Sequence, residues 1–115
     1  MSRSERESYQ NHSPAPWSYM YSPYRVQQGE GATESELAAF EIFDADANKV
    51  FDTNEDTPAD LQEANARLAA AAPRLLSALA TCASLLADYD ESDGEEGQAY
   101  RHARAAIAEA TGRTA

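Results

Sequence analysis

The chain has 115 residues, 43% of them hydrophobic, and a formal net charge of −11. This length accommodates one domain with a modest core, and the charge argues against direct binding of nucleic acid or of an anionic membrane surface. A single cysteine excludes an internal disulfide bond. Because no uninterrupted apolar run reaches roughly 18 residues and no apolar signal segment follows Met1, we expect a protein of the reducing cytoplasm.

The N-terminal third divides into an arm, a strand and a loop. Residues 1–16 are polar and end in a Pro-Ala-Pro run, which predicts a flexible arm. In residues 17–21 aromatic side chains alternate with smaller ones, the periodicity of a β-strand, and Pro23 would confine that strand to the edge of a sheet. Residues 27–35, with two glycines, predict a loop.

Residues 36–55 fit two structures. In the first, residues 40–43 and 49–51 are the strands of a β-hairpin, and the turn-forming run Asp44–Asn48 joins them. Asn48 tolerates the left-handed backbone conformation that such a turn often requires.

The alternative structure is a calcium loop of the EF-hand type. Oxygen-bearing side chains fill its positions 1, 3, 5, 9 and 12, which are Asp44, Asp46, Asn48, Asp52 and Glu55. Position 6, however, is Lys49 rather than glycine, and Pro58 falls where the exiting helix should run. The sequence favours the hairpin, with no cofactor, and keeps calcium as the alternative.

The second half predicts helices. Thr57 and Pro58 form a helix start, and Leu61, Ala64, Leu68 and Ala71 then repeat at helical spacing. Pro73 should end or kink this helix. A second helix should run to about Tyr89, with an inward face of Leu75, Leu76, Leu79, Cys82, Ala83 and Leu86.

After an acidic loop over residues 88–97, a final helix follows. Ser92 and Glu95 predict a capping box, and Gly112 is a natural terminator. The inward face of this helix carries Tyr100, Ala103, Ile107 and Ala110. These Ala-rich faces are thin, so they need a sheet from residues 17–52 or a second copy of the chain to cover them.

The predicted fold class is therefore α+β. A small antiparallel sheet packs on two to three Ala/Leu-rich helices, and residues 17–115 form one domain. Residues 17–52 of this domain are rich in strands, and residues 58–111 are helical.

Two segments carry a resemblance to known proteins. EANARLAAAAPRLLSAL (residues 63–79) and ARAAIAEATG (residues 103–112) resemble a helical module of small, acidic phage and prophage accessory proteins. In such proteins a short hairpin often precedes the helices. The resemblance implies a phage accessory role in the cytoplasm of a bacterial host cell. It implies no established chemistry, so it assigns no catalytic residue.

The sequence gives little indication of an enzyme. Cys82 lies among alanines and leucines, which is typical of a small buried thiol, and no histidine or cation lies near it in the sequence. His12 and His102 lack nucleophiles or carboxylates at the spacing of a catalytic or metal site. We therefore predict a protein without enzymatic activity.

The prediction for function is protein–protein binding. Aromatic side chains often supply most of the energy of an interface, and clustered carboxylates can imitate a DNA backbone. An acidic DNA mimic would inhibit a basic host protein that handles nucleic acid, such as a CRISPR complex or a nuclease. The predicted partner-binding residues are Trp17, Tyr19, Tyr21, Tyr24, Glu34, Glu36, Glu41, Asp44, Asp46, Asp52, Glu55, Asp56 and Asp60, and nine of these are the carboxylates of residues 31–60, where Lys49 is the one cation.

Overall fold

A computed structural model describes residues 12–27, 29, 31 and 34–113. It divides into two compact units at the junction of Ala72 and Pro73. We call residues 13–72 the sheet unit and residues 73–113 the helical unit. Residues 1–11 of the predicted flexible arm lie outside the described residues. Residues 13–16 of that arm belong to the sheet unit, and the carbonyl oxygen of Pro14 accepts a hydrogen bond from the backbone N–H of Ala45 at 2.9 Å.

A three-stranded antiparallel sheet carries the core of the sheet unit. Its strands are β1 (Ser18–Tyr21), β4 (Phe40–Phe43) and β5 (Lys49–Asp52), in the order β1-β4-β5. The register pairs Tyr19 with Ile42, and Ile42 with Phe51. The predicted hairpin over residues 40–51 is confirmed, and so is the predicted edge strand, because β1 occupies one edge of this sheet.

Two details of the strand region differ from the sequence prediction. The left-handed residue of the hairpin turn is Ala47 (φ 64°) rather than Asn48. Strands β2 (Tyr24–Gln27) and β3 (Glu34–Leu37) form a second, two-stranded sheet. The sequence prediction missed this hairpin because the alternation of β2 (Tyr24–Gln27) covers only four residues and β3 (Glu34–Leu37) has no alternation of apolar and polar residues.

One continuous helix, α1 (Ala59–Leu85), replaces the two helices predicted on either side of Pro73. The prediction that Pro73 ends the helix was wrong. Alanine, arginine and leucine residues, which are strong helix formers, occupy the positions on both sides of Pro73 and favour a continuous helix. Pro73 is itself buried.

The core of the sheet unit joins large strand residues to small helix residues. Phe40, Ile42 and Ala66 are 6%, 0% and 0% exposed, and the half-buried residues Trp17, Tyr19, Val50 and Ala69 pack around them. The helical repeat of Leu61 and Leu68 does not mark the buried side of this part of α1, because these two leucines are 52% and 65% exposed. The strands already supply the large side chains, so the helix packs its alanine side against them.

A buried glutamine connects the start of α1 to the hairpin. Gln62 is 1% exposed. Its Oε1 accepts a hydrogen bond from Thr53 Oγ1 at 2.6 Å, and its Nε2 donates to the carbonyl oxygen of Thr57 at 2.8 Å. Thr53 Oγ1 also accepts from the backbone N–H of Phe40 at 2.9 Å. One side chain thereby satisfies polar groups of both the hairpin and the helix start.

The helical unit pairs the C-terminal half of α1 with helix α2 (Glu95–Thr111). Its buried residues are Ala80, Ala83, Ala103 and Ile107, and Leu76, Leu79 and Tyr100 pack against them. This confirms the predicted face of α2 at Tyr100, Ala103 and Ile107, whereas Ala110 of that predicted face is exposed. Two residues of the predicted inward face of α1 are wrong, because Leu75 is 53% exposed and Cys82 is exposed. Both lie on the side of α1 that the alanines facing α2 leave uncovered.

The connection between the helices includes a short 3₁₀ turn (Ala87–Tyr89) and a close backbone approach. A Cβ atom at Gly97 would overlap the carbonyl oxygen of Ser92, so this position requires glycine. The predicted capping box at Ser92 was wrong, because Gly94 is the N-cap of α2 and Ser92 Oγ accepts from the Gly94 N–H at 3.1 Å. Gly112 (φ 71°) terminates α2 as predicted.

Helix α1 has the length and composition of a membrane span. An 18-residue window of it has a mean hydropathy of 1.4, and 11% of that window is buried. The sequence prediction of no spanning segment used uninterrupted apolar runs, which Arg74 breaks. Arg74 lies within that window, and an arginine at the centre of a bilayer costs about 2.5–3.5 kcal/mol.

The Gln62 network gives a first testable prediction. Replacing Gln62 with alanine removes the partner of Thr53 Oγ1 and of the Thr57 carbonyl oxygen, and we expect the free energy of unfolding of the sheet unit to fall by about 2–3 kcal/mol. Fluorescence of Trp17, the single tryptophan, during urea unfolding measures this change. The matched control is Gln98→Ala at an exposed site of α2, which should change that transition little. Equal effects of the two variants would contradict the structural role of Gln62.

Candidate functional site

An open groove of about 520 Å³ lies on the sheet unit. The chain corner after β1, the first half of β4 and the segment from Asp52 to Glu55 form it. Its lining residues are Ser22, Pro23, Tyr24, Ala39, Glu41, Asp52, Thr53, Asn54 and Glu55. Four of them were predicted partner-binding residues: Tyr24, Glu41, Asp52 and Glu55. The groove thus brings three carboxylates and one aromatic ring to a single surface.

Strand periodicity places two of these carboxylates side by side. Glu41 pairs with Asp52 across the β4–β5 ladder and with Met20 across the β1–β4 ladder, so the three form a row on one face of the sheet. Phe40 and Ile42 flank Glu41 in sequence and are buried on the opposite face. The alternation of side chains along β4 therefore buries Phe40 and Ile42 on one face and leaves Glu41 on the opposite face, beside Asp52.

One cation lies beside this row. Lys49 Nζ is 3.1 Å from Asp52 Oδ1, and both side chains are about half exposed. The hydrogen bond to Asp52 and the charge of that carboxylate raise the pKa of Lys49, and Glu41 adds to the effect. Lys49 remains charged near neutral pH and cancels part of the negative potential, which leaves the groove with a net negative charge.

The four predicted aromatic residues divide into two groups. Trp17 and Tyr19 are half-buried and belong to the core. The ring centroids of Trp17 and Phe51 are 6.4 Å apart in an edge-to-face arrangement, and those of Tyr19 and Phe40 are 6.1 Å apart. Tyr21 and Tyr24 are 52% and 39% exposed, so these two present aromatic surface outward. Of the four, Tyr24 lines the groove.

The carboxylates of strand β3 interact with neighbouring strands. Glu36 Oε1 accepts a hydrogen bond from the Tyr21 hydroxyl at 3.0 Å. This hydrogen bond, together with slight desolvation and the charge of Glu36, raises the pKa of Tyr21 above its ordinary value. Glu34 lies 3.6 Å from Arg25 of β2. Exposed pairs of this kind contribute little to stability, so they mainly set the local charge.

Asp44 has a structural role in the hairpin turn. It is 9% exposed, and its Oδ1 accepts hydrogen bonds from the backbone N–H groups of Asp46 and Asn48, each at 2.9 Å. This geometry fixes the turn from within. The calcium-loop alternative requires an entering helix where residues 40–43 form a strand. Among the described residues, no group of three or more histidines, cysteines or carboxylates is placed to hold a metal ion.

The other predicted carboxylates, Asp46, Asp56 and Asp60, lie on turns or at a helix start and do not line the groove. Asp60 is exposed in the first turn of α1, where it complements the helix dipole. The sequence prediction missed Ser22, Pro23, Thr53 and Asn54. In the sequence, Pro23 indicates the chain corner after β1. Residues 52–55 approach that corner because of the strand order in the sheet, which no local sequence pattern indicates.

Comparison with known protein families identifies the family of this chain. The family model described as Salmonella phage P22 protein Y8K6 matches residues 1–114. The chain belongs to this family. Membership confirms the predicted relation to phage proteins. It does not single out the helical segments on which the resemblance was based. No curated protein and no solved structure matched the chain.

The buried Asp44 and the exposed Asp46 offer a matched pair of variants. Asp44→Ala removes the acceptor for two backbone N–H groups, so we expect it to lower the free energy of unfolding by about 1–3 kcal/mol. Asp46→Ala removes the same charge from an exposed position and should change stability by less than about 0.5 kcal/mol. Urea titrations followed by Trp17 fluorescence compare the two. Similar losses would show that charge, rather than the hydrogen bonds of Asp44, stabilises the turn.

The contact between Tyr21 and Glu36 predicts a pH effect. The carboxylate favours the neutral phenol, so any stability from this contact is complete below the ordinary tyrosine pKa of 10.0 and is lost as pH rises through the raised pKa. Glu36→Gln should lower the pKa of Tyr21 toward 10.0. Ultraviolet absorbance titrations, with Tyr21→Phe subtracted in each background, measure the change. The control is Glu34→Gln, which removes the carboxylate paired with Arg25 and should leave the pKa of Tyr21 unchanged.

Proposed function

We propose that this phage protein acts by binding a basic surface of a host protein through the acidic groove of the sheet unit. The observation that supports the proposal most directly is the presence of Glu41, Asp52, Glu55 and Tyr24 in one open groove. Carboxylates in such a groove accelerate encounter with a basic partner, and an aromatic ring supplies contact area once the two surfaces meet. Only part of the predicted residue set is needed for this mode of binding.

The favoured partner is a host protein that handles nucleic acid. Glu41 and Asp52 lie in adjacent strands, and Glu55 extends the negative surface beyond the end of β5. A lysine- or arginine-rich surface that binds phosphates would also attract such a row of exposed charges. We infer an inhibitor that competes with DNA or RNA, in the manner of a nucleic-acid mimic, for a CRISPR complex or a nuclease of the bacterial cytoplasm.

The proposal describes a binding protein and requires neither an enzymatic activity nor a cofactor. Its groove combines carboxylates with hydroxyl, amide and phenol groups, all of which can accept hydrogen bonds from a basic surface. The two histidines do not line this groove, and His102 is exposed on α2 of the helical unit. Binding is the activity that these groups support best.

A capture experiment tests the proposal. The full chain, immobilised by a terminal tag, is exposed to nuclease-treated Salmonella lysate, and bound proteins are eluted by a salt step and identified by mass spectrometry. We expect a nucleic-acid-handling protein that is released by about 0.5 M salt, since screening weakens exposed charge pairs. Purified partner and a labelled DNA or RNA duplex then show by fluorescence anisotropy whether the chain displaces the nucleic acid.

Matched variants locate the binding surface. The triple variant Glu41→Gln, Asp52→Asn and Glu55→Gln should weaken binding about tenfold or more. The variant Glu91→Gln, Asp93→Asn and Glu109→Gln removes the same charge from exposed sites of the helical unit and should bind nearly as wild type. Equal losses would mean that overall charge drives binding. Capture of no nucleic-acid-handling protein would contradict the proposed mimicry.

A further inference from the structure

Helix α1 has two different sides within the helical unit. Ala80 and Ala83 are each 4% exposed and face α2, together with Leu76 and Leu79. Another side presents Leu75, Ala78, Cys82 and Leu85, all of them exposed, with Leu75 at 53% and Leu85 at 77%. We call these four residues the α1 seam. Leucines this exposed are unfavourable in water, so the seam is a surface suited to burial against another protein.

The spacing of the seam is that of a helix–helix interface. Its residues follow one another by three, four and three positions, which is the a/d spacing of a coiled coil. In an antiparallel pair of such helices, each a residue packs beside a d residue of the other helix. Leu75 would then lie beside Leu85 of the second copy, and Ala78 beside Cys82 of the second copy. Small residues meet at the centre and leucines at both ends.

The charged residues at the two ends of the seam favour the antiparallel arrangement. Arg74 immediately precedes the seam, Asp88 follows it by one turn, and both are exposed. An antiparallel pairing brings the basic end of each seam to the acidic end of the other, twice per dimer. A parallel pairing would place arginine beside arginine and aspartate beside aspartate. The seam is therefore complementary in charge to a reversed copy of itself.

We propose that the α1 seam binds the α1 seam of a second copy of the chain, in antiparallel orientation, to form a symmetric dimer. The interface extends over about three helical turns of each copy, so we expect association in the micromolar rather than the nanomolar range. This self-association goes beyond the proposed function. It uses residues of the helical unit, whereas the acidic groove belongs to the sheet unit, so either proposal can fail without the other.

Cysteine cross-linking of the full chain tests the geometry. Ala78→Cys places a second thiol opposite Cys82 of the second copy, so mild oxidation should convert most of the protein to a covalent dimer of twice the 12.5 kDa monomer mass. Wild-type protein should cross-link weakly, because Cys82 faces Ala78. The control Ser84→Cys adds a thiol at an exposed position of α1 outside the seam. Equal cross-linking of the two variants, or none in either, would overturn the proposal.

Sedimentation equilibrium tests the charge complementarity. Arg74→Glu should raise the dimer Kd about tenfold, and the further change Asp88→Arg should restore it, because the two ends then carry exchanged charges. Leu85→Asp should give a monomer, whereas Leu61→Asp, at an exposed site of the sheet unit, should not. All four residues are exposed, and far-UV circular dichroism checks that each variant is folded.

Two results would overturn the dimer. One is a wild-type monomer throughout the micromolar range. The other is flotation of the chain with phosphatidylethanolamine–phosphatidylglycerol vesicles, abolished by Leu85→Asp, which would make the seam a membrane-binding surface. Failure of the charge exchange to restore association would overturn the antiparallel orientation.

Discussion

The sheet unit depends on the hydrogen bonds that satisfy the buried side chain of Gln62. Gln62 is enclosed between the hairpin and the start of helix α1, where an unsatisfied amide would be costly. Its bonds to Thr53 and Thr57 allow the helix to begin directly after the hairpin and still bury a polar residue. Thr53 also lines the acidic groove, between Asp52 and Glu55 in the sequence. The hydrogen bond between Thr53 and Gln62 therefore also positions the segment that carries these two carboxylates.

A second constraint is the division of side-chain size between strands and helices. In the sheet unit Phe40 and Ile42 fill the core, and Ala66 of α1 allows the helix to approach them. In the helical unit Ala80 and Ala83 of α1 meet Ala103 and Ile107 of α2. The buried positions of this long helix are therefore mostly alanines, while Leu76 and Leu79 pack beside them and Leu61, Leu68, Leu75 and Leu85 are exposed. These exposed leucines contribute apolar area to the surface, where it favours association rather than folding.

Local patterns in the sequence predicted the hairpin, the edge strand, the termination of α2 at Gly112 and the buried face of α2. These local patterns failed where tertiary contacts determine which of two apolar sides of a helix is buried. Both sides of α1 are apolar, so periodicity alone could not tell the alanine side from the leucine side. The sequence showed that carboxylates are concentrated before residue 61. That Glu41 and Glu55 share a groove while Asp44 is turned inward depends on strand pairing and turn hydrogen bonds, which composition does not encode.

The close backbone approach at Gly97 has a consequence for how this family can diverge. The loop between the two long helices carries many carboxylates, and its exposed side chains are free to exchange without disturbing the core. Its path is not free, because any side chain at position 97 would strike the carbonyl oxygen of Ser92. Arg101 donates to the carbonyl oxygens of Asp90 and Ser92 and holds the same path from the other side. Substitutions in this loop can therefore alter its charge, whereas its backbone path requires glycine at position 97.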